Sequence, residues 1–599
     1  MELARISISN FRNFAALDVS LAGNVVVVGE NRVGKSNLLY ALRLLLDPTL
    51  PDSARHLGFS DFWDGLGTPA ANSKITIAIE ITDFEADLAV LAVLTDYRLA
   101  DDPQRVRLVY EFRTHGGLAG APESEEDFEF VCYGGEDEAK RFGHDLRRRL
   151  TLEVLPALRD VERDLGVWRR SPLRPLIEKA FGAVDADDVQ AIADAVQKAT
   201  EKLAEFPEVE SLEQDIGALF VRMSGARQDI KPRLGFGPTE PSRLYRSLRL
   251  LIDEGERAIG DASLGSANLV FLTLKMLELR QMLVENKRNH TLLCIEEPEA
   301  HLHPHLQRSV YRHLFESVSG RDDGPGPLSV FLTTHSPHIA SVAPVRSLVL
   351  LKDERARGAR AYSSAAVGLT DIEAEDLTRY LDVTRAEMLF ARGVILVEGD
   401  AERFLLPAFA KQMNVGLDHL GITVCSVAGT NFKPYAKFLT AMGTPFAVIT
   451  DWDPADPGRA RGYKRAASLV RTIERARSAA VPPDLEERLN EPTDAELKRV
   501  AEEFGIFLNE YTLEVDLFND DDCRHGVIST LREYGFGTTR QRWIDDWEAA
   551  PNSLDAGRLL ALVETVGKGR FAQRLATQVE NAAPPTFISD AITFVSGRV

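Results

Sequence analysis

The chain has 599 residues, of which 44% are hydrophobic and 27% are charged. This length and composition indicate several globular domains and exclude a disordered or collagen-like chain. The formal net charge of −21 excludes a general polyanion binder, so nucleic-acid contact would need locally grouped basic residues or bridging divalent ions. The four cysteines lack zinc-ligand spacing, and no apolar run reaches the ~18–20 residues that span a bilayer. We expect a protein of the reducing cytoplasm.

The first part of the chain alternates like strands around one helix. The patterns predict strands at 4–9, 24–28, 75–81 and 105–112, with a helix at 36–46. We expect 75–81 and 105–112 to pair antiparallel. The acidic, glycine-containing segment 113–140 matches none of these patterns.

A helical block is predicted from about 150 to 255. Leu152, Leu155, Leu158 and Val161 recur at helical spacing, and apolar positions continue through 186–223. Strands are then predicted at 291–296 and 328–333, each followed by a helix, and 352–361 fits a hairpin or a boundary.

A second α/β pattern follows Tyr380. Strands are predicted at 393–397, 422–427, 445–450 and 505–509, separated by helical segments. Strands alternating with helices indicate a parallel sheet.

A phosphate-binding loop lies between the strand at 24–28 and the helix at 36–46. Its first and sixth residues are Gly29 and Gly34, followed by Lys35 and Ser36, the G-x-x-x-x-G-K-[ST] pattern. The glycines let backbone N–H groups surround phosphates at a helix N-terminus, Lys35 would reach the β- and γ-phosphates, and Ser36 would hold Mg²⁺. The alternative is a chance glycine turn. The pattern predicts an ATP site with one magnesium ion.

Two later strands end in residues that suit ATP hydrolysis. Glu296 ends the first and is predicted to bind Mg²⁺, and Glu297 is the predicted general base. His335 follows the second strand, where ABC-type ATPases keep a histidine near the γ-phosphate. The alternatives are an acidic turn and a polar residue with no catalytic part.

Three further features resemble RecF- and SMC-like ABC ATPases, which act on DNA. They are the N-terminal FRNF, the asparagines Asn31 and Asn37 of the phosphate loop, and IEEPEAHLHP. The segment from Ser263 through Gly265 to Asn268 resembles a degenerate ABC signature, which contacts the nucleotide of the opposite protomer. No Q-loop glutamine is evident, and Asp61 is a candidate substitute.

A second candidate site lies in the C-terminal α/β pattern. Glu398 and Glu402 follow the strand at 393–397, while Asp451 and Asp453 follow the strand at 445–450. Acids after neighbouring parallel strands meet at the carboxyl edge of a sheet, and clustered carboxylates favour divalent cations. Two such ions can cleave a phosphodiester. Each motif alone also fits a chance helix cap or turn.

Together these acids resemble the Toprim domain, with Gly429 at the turn after the intervening strand. An ABC ATPase followed by Toprim resembles the overcoming-lysogenization-defect (OLD) family of ATP-binding nucleases. The resemblance also covers LEVLPALRDVERD and RRSPL of a dimerising insert, the strand and acid ending at Glu514, and the lysine motif at Lys568.

The resemblance implies an α/β fold and a DNA endonuclease in phage defence or DNA processing, regulated by the ATPase. The implied metal ligands are Glu398, Glu402, Asp451, Asp453 and Glu514, with two Mg²⁺ or Mn²⁺ ions, while Lys568 faces the scissile phosphate and Asp400 lies further out. The implied domains are ATPase at 1–150 and 256–372, a helical dimerisation insert at 151–255, and Toprim at 373–599. A homodimer or larger even oligomer is implied, and a separately encoded helicase partner stays open.

A basic run follows Asp453. Its members are Arg459, Arg461, Lys464, Arg465, Arg471, Arg475 and Arg477, with Glu474 among them. They could hold DNA phosphates beside the metals, or they could form a solvated helix face.

Two rival functions remain. The first is a RecF- or SMC-like repair ATPase whose Toprim domain only binds DNA, although a degraded site would be expected to have lost an acid. The second is a topoisomerase or primase, for which the chain lacks a separate strand-passage domain or zinc-binding module.

Overall fold

The protein is described by a computed structural model covering residues 1–118, 120–157, 161–168, 171–224, 231, 233–285, 287–318, 328–354, 357–454, 458–478 and 480–599. The chain divides into two compact units. Unit 1 comprises Met1–Leu155, His290–Glu299 and His303–Val599, and unit 2 comprises Pro156–Asn289 and Ala300–Leu302.

The strands of the described residues, in chain order, are β1 (Glu2–Phe11), β2 (Phe14–Ser20), β3 (Val25–Gly29), β4 (Lys74–Thr82), β5 (Val106–Thr114), β6 (Phe128–Gly134), β7 (Leu150–Leu155), β8 (Leu251–Ile252), β9 (Arg257–Ala258), β10 (His290–Glu296), β11 (Leu328–Thr334), β12 (Leu348–Asp353), β13 (Ala359–Ser363), β14 (Gly393–Val397), β15 (Ile422–Ser426), β16 (Phe446–Thr450) and β17 (Ile506–Leu508).

The α-helices, in the same order, are α1 (Lys35–Leu46), α2 (Asp52–Arg55), α3 (Leu88–Leu94), α4 (His144–Arg149), α5 (Val161–Gly166), α6 (Leu173–Gly182), α7 (Ala186–Glu201), α8 (Pro207–Ser224), α9 (Pro241–Arg246), α10 (Leu264–Val284), α11 (Pro304–Val318), α12 (Pro337–Ala340), α13 (Asp371–Tyr380), α14 (Val383–Ala386), α15 (Asp400–Gln412), α16 (Leu417–Leu420), α17 (Lys433–Ala441), α18 (Arg461–Ser478), α19 (Pro483–Arg488), α20 (Asp494–Glu503), α21 (Leu513–Asn519), α22 (Asp521–Glu533), α23 (Thr538–Ala549), α24 (Ala556–Val566), α25 (Lys568–Gln578) and α26 (Thr586–Ser596).

An antiparallel sheet of order β2-β1-β4-β5-β6 forms one layer of unit 1. The predicted pairing of 75–81 with 105–112 is confirmed, since Ile77 lies opposite Tyr110 in β4 and β5. The unassigned segment 113–140 contains β6, which pairs with β5. The sequence pattern missed this strand because acidic loops flank a short apolar run.

The ATPase sheet has the order β13-β12-β3-β11-β10-β7, and all its neighbours are parallel except β12 and β13. The predicted hairpin around 352–361 is confirmed by that antiparallel pair. Because β3, β11 and β10 lie side by side and run the same way, their carboxyl ends meet at one edge. Residues of this sheet, of the antiparallel sheet and of α1 share one hydrophobic core.

One predicted helix is wrong. Leu152 and Leu155 lie in β7, which runs parallel to β10 with Leu152 opposite Leu292. Leu158 lies outside the described residues, and Val161 begins α5. The spacing of three looked helical, but pairing with a buried strand decides the conformation here.

Unit 2 contains α5 to α10 and the two-stranded hairpin of β8 and β9. Its described residues are mainly helical, as the sequence predicted for most of this region. The domain boundaries given above stay predictions.

A third sheet of unit 1 has four parallel strands in the order β15-β14-β16-β17. The parallel sheet predicted after Tyr380 is therefore confirmed. β14, which precedes Glu398, pairs directly with β16, which precedes Asp451. Both strands are buried along their whole length, so the acids lie where the chain leaves the core.

Candidate nucleotide and metal sites

The phosphate loop connects β3 to α1, as predicted. Gly34 has φ 103°, and a Cβ on it would lie 2.2 Å from Nδ2 of Asn13. That Nδ2 donates to the carbonyl of Val33 at 2.8 Å, and Nδ2 of Asn37 donates to Oδ1 of Asn13, also at 2.8 Å. Only glycine suits this conformation and this close approach. Asn13, which the sequence analysis included in FRNF without a role, thus joins the loop to the first helical turn.

Lys35 lies inside the loop that it is expected to serve. Its Nζ donates to the carbonyls of Gly29 and Glu30, at 3.0 and 2.9 Å, and lies 3.5 Å from Nδ1 of His335. Burial lowers the pKa of Lys35 to about 8, against the opposing pull of Glu297 and Glu299. A bound phosphate would raise this pKa again, because its negative charge favours the ammonium. Asn31 and Ser36 are exposed on the same loop.

The acids after β10 meet the histidine after β11. Glu296 ends β10, and burial raises its pKa although Ser36 hydrogen-bonds to it. Oε1 of Glu297 lies 3.5 Å from Nε2 of His335. The carboxylate of Glu299 accepts from the His335 backbone N–H at 2.6 Å and from Oγ1 of Thr334 at 2.8 Å. Lys35, Ser36, Glu296, Glu297 and His335 are therefore brought together, and Glu299 is a residue that sequence reasoning missed.

Two other predicted nucleotide contacts lie in unit 2. The Ser263 hydroxyl caps α10 by accepting from the backbone N–H of Ser266. A Cβ on Gly265 would lie 2.4 Å from the carbonyl oxygen of His301. A role of these residues at the nucleotide stays a prediction. Asp61, the candidate Q-loop substitute, lies in unit 1, and its Oδ1 accepts from Nε of Arg12 at 2.9 Å.

The second candidate site lies at the carboxyl edge of the sheet formed by β14 to β17. Oε1 of Glu398 accepts from the Asp451 backbone N–H at 3.0 Å and from the Thr450 hydroxyl. Oδ1 of Asp451 accepts from Nδ2 of Asn509 at 2.6 Å and from the Leu513 N–H at 3.0 Å. These bonds join the ends of β14, β16 and β17. Asn509 was not predicted, because no local pattern marks it.

Arg465 reaches into this acidic edge from α18. Its Nη1 donates to Oε1 of Glu398 at 2.7 Å, and its Nη2 donates to Oδ2 of Asp453 at 3.0 Å. The sequence interpretation left Arg465 either on DNA phosphates or on a solvated helix face, but here it contacts two predicted metal ligands. Of the same run, Arg471 pairs with Glu486, and Arg461, Lys464 and Arg475 are exposed.

Glu402, Glu514 and Lys568 complete the cluster. Lys568 Nζ lies 3.4 Å from Oε1 of Glu514 and also feels the charges of Asp451 and Glu402, which keep its pKa raised despite burial. Burial, with the charges of Glu398 and Glu514, raises the pKa of Glu402 to about 7. Burial and the same kind of neighbours raise the pKa of Asp451 to about 8. Asp400, on the first turn of α15, is exposed.

The donor set fits a divalent metal. Oε2 of Glu514 is buried and has no hydrogen-bond partner among the described residues. Burial is the main cause of the raised pKa values of Asp451 and Glu402, and the neighbouring carboxylates add to it. A divalent cation offsets this cost of holding the acids ionised. In the described part of the chain no three His, Cys, Asp or Glu side chains already surround one point as ligands. Instead, hydrogen-bond donors of the protein occupy one oxygen of several of these acids. Metal binding therefore requires the side chains of the acids to adjust.

Comparison with known proteins identifies both halves of the chain. The family model described as an AAA ATPase domain matches residues 1–140 and 177–340. The model described as overcoming lysogenization defect protein-like, TOPRIM domain, matches residues 389–453, which include Glu398, Glu402, Asp451 and Asp453. The C-terminal region of the Burkholderia pseudomallei OLD protein is 38% identical and is covered to 98% by 35% of this chain, with a TM-score of 0.32. From the two family models together, the chain belongs to the OLD family.

Full-length relatives agree with this assignment. The OLD-family chain is 26% identical to the OLD nuclease of Thermus scotoductus over 75% of its own length and 82% of the relative. It is 22% identical to the endonuclease GajA of Bacillus cereus (strain VD045), over 87% and 89% of the two chains. The predicted family and the predicted fold class, an interrupted ATPase followed by Toprim, are confirmed. An ATPase and a Toprim domain use a nucleotide and divalent metal ions.

Within the part of the chain that the structure describes, every helix is too short or too polar to cross a membrane.

Proposed function

We propose that this OLD-family chain is a metal-dependent DNA endonuclease whose cleavage is regulated by its ATPase. The observation that carries the proposal is the acidic edge of the Toprim sheet, where Glu398, Glu402, Asp451, Asp453 and Glu514 meet Lys568. The unpartnered Oε2 of Glu514 and the raised pKa values of Asp451 and Glu402 support an acidic site whose negative charge Lys568 and Arg465 offset only in part. The names of the relatives, OLD nuclease and endonuclease GajA, agree with this chemistry.

The five acids would hold two Mg²⁺ or Mn²⁺ ions. When bound, such ions lower the pKa of water and stabilise the leaving oxygen of a phosphodiester. The protein supplies fixed orientation, because Asn509 and the Leu513 N–H hold Asp451 and the end of β16 holds Glu398. Lys568 would meet the negative charge that develops on the phosphate in the transition state.

The residues of the ATPase site would act separately from those of the metal site. With ATP bound, Lys35 would contact the β- and γ-phosphates in place of the carbonyls of Gly29 and Glu30. Backbone N–H groups of the loop, in the segment with Asn31 and Asn37, would surround these phosphates. Ser36 and Glu296 would hold a third ion with ATP. Glu297, next to His335, is the proposed base for the attacking water.

DNA would reach the acidic edge along α18. Arg461, Lys464 and Arg475 of this helix are exposed, so their charges are available to phosphates. Arg465 and Arg471 are engaged within the domain, and the run is therefore smaller than its sequence suggested.

The protein is proposed to work as a homodimer or larger even oligomer. On α8, Leu212, Ile216, Leu219 and Met223 are 50%, 39%, 54% and 81% exposed, and they repeat every three or four residues. That spacing places them on one helix face, which suits a second copy of the same helix. We also propose a role in phage defence, a cytoplasmic location and a separately encoded helicase partner. The buried free cysteines agree with a reducing compartment.

The decisive comparison is plasmid cleavage by Asp451→Ala. Supercoiled plasmid and Mn²⁺ are incubated with wild type, Asp451→Ala and the surface control Asp418→Ala. We expect the Asp451 variant to lose on the order of 10³-fold in rate, because several kcal/mol of transition-state stabilisation depend on the ligand set. The control should cleave normally. Equal cleavage by all three proteins would contradict the proposal. If the wild type binds DNA but does not cleave it, the result would favour a RecF- or SMC-like ATPase whose Toprim domain only binds DNA.

A further inference from the structure

Arg465 connects two acids that sequence alone places on different strand ends. Its guanidinium uses separate nitrogens, Nη1 for Glu398 and Nη2 for Asp453, at 2.7 and 3.0 Å. The side chain is only 13% exposed, so these contacts are partly shielded from water. A planar guanidinium can hold two carboxylates at once, which a lysine ammonium on a flexible stem cannot reproduce.

The backbone around Arg465 is built to bring it there. Nη1 also donates to the carbonyl of Asp451 at 3.1 Å and to the Thr450 hydroxyl. One turn earlier, Gly462 donates its N–H to the carbonyl of Trp452, and a Cβ on it would lie 2.6 Å from the Asp451 carbonyl oxygen. Glycine at this position therefore lets α18 start against the end of β16, which aims Arg465 at the acids.

The remaining oxygens of the two acids are free of this bridge. Oε1 of Glu398 and Oδ2 of Asp453 take the guanidinium, while Oε2 of Glu398 and Oδ1 of Asp453 accept no hydrogen bond from the described residues. The bridge thus fixes the rotation of each carboxylate and leaves one oxygen of each for another partner.

We propose that Arg465 is a positioning residue that holds the carboxylates of Glu398 and Asp453 in place as ligands of a divalent ion, which limits the side-chain adjustment that metal binding requires. The proposal rests on the metal-dependent function proposed above and adds a residue to it. Groups that orient metal ligands typically contribute 10–100-fold to metal affinity. Because the role requires two donors in one plane, charge alone does not fulfil it.

The test is Mn²⁺ binding to the full-length, nucleotide-free protein after removal of bound ions, measured by isothermal titration calorimetry. The variants are Arg465→Gln and Arg465→Lys, with Arg471→Gln as a matched control on α18, since Arg471 pairs with Glu486 instead. Asp451→Ala is the reference for a lost ligand. ATP hydrolysis and the melting temperature report whether each variant is folded. If Arg465→Gln fails to fold, the Mn²⁺ affinity of Arg465→Lys, which keeps the charge, tests the proposal.

We expect the two Arg465 variants to bind Mn²⁺ 10–100-fold more weakly than wild type, with normal ATP hydrolysis, while Arg471→Gln binds Mn²⁺ normally. An affinity of Arg465→Lys within twofold of wild type, or any gain in affinity, would overturn the proposal. If Asp451→Ala weakens binding and the Arg465 variants do not, only the role of Arg465 fails. If Asp451→Ala also binds like wild type, the proposed metal site itself fails.

Discussion

At the scale of single residues, the carboxyl ends of buried strands determine the chemistry. Glu398 and Asp451 could be predicted because each follows a run of apolar residues that reads as a buried parallel strand. Asn509 and Arg465 contact the same acids, yet no spacing marks them, since their contacts depend on how β17 and α18 pack. Local sequence patterns therefore indicate the predicted metal ligands. They do not indicate the residues that donate hydrogen bonds to those ligands.

Asp451 and Glu402 should make stability depend on pH when divalent ions are removed. Their folded pKa values, about 8 and about 7, lie above the ordinary values near 4. Between about pH 4 and these values the folded state binds more protons than the unfolded state. The free energy of unfolding should therefore fall as pH rises through this window and level off above about pH 8.

Thermal melts in EDTA between pH 5 and 9 check this expectation. Asp451→Asn, which cannot ionise, should show a weaker decline than wild type, and Asp418→Asn should decline as wild type does. The same slope in all three proteins would contradict the assigned burial of Asp451.

At the scale of elements, hydrophobic periodicity correctly predicted whether most segments are helices or strands. It was wrong where pairing with a strand distant in sequence decides the conformation. β7 was taken for a helix and β6 was missed, because each is completed by a long-range partner, β10 and β5 respectively, that no local pattern reveals. The four strands of the Toprim sheet were correctly predicted, since helices between apolar runs permit little except a parallel sheet. Their order could not be read from sequence alone.

The phosphate loop touches the first Toprim strand directly. Arg392, just before β14, donates to both oxygens of Glu30 in the loop, at 2.6 and 3.0 Å. Arg392→Ala should leave stability within about 1 kcal/mol, because the pair is exposed. It should reduce the effect of ATP on plasmid cleavage, since this contact links the nucleotide loop to the strand that carries Glu398.

Cleavage rates with and without ATP measure this coupling. Arg379→Ala is the control, as its pair with Glu375 lies within one helix. An ATP effect of wild-type size in Arg392→Ala would show that the nucleotide acts by another route.

At the scale of the whole molecule, assembly is predicted to depend on α8. Replacing Leu212 and Leu219 together by Glu should place charges on the exposed apolar face and convert an even oligomer into monomers. Gln214→Glu, on the opposite side of α8, is the matched control. Light scattering at micromolar concentration distinguishes the two states, and a wild-type chain that is already monomeric would contradict the expected assembly.

The central claim is that one chain carries two chemically separate sites. It is tested most directly by the Mn²⁺-dependent cleavage rate of supercoiled plasmid, measured for Lys35→Ala and Asp451→Ala beside their rates of ATP hydrolysis. We predict that Lys35→Ala loses ATP hydrolysis, because the phosphates lose their charged contact, and still cleaves DNA. Asp451→Ala should hydrolyse ATP and fail to cleave. Cleavage by Asp451→Ala at the wild-type rate would contradict the account.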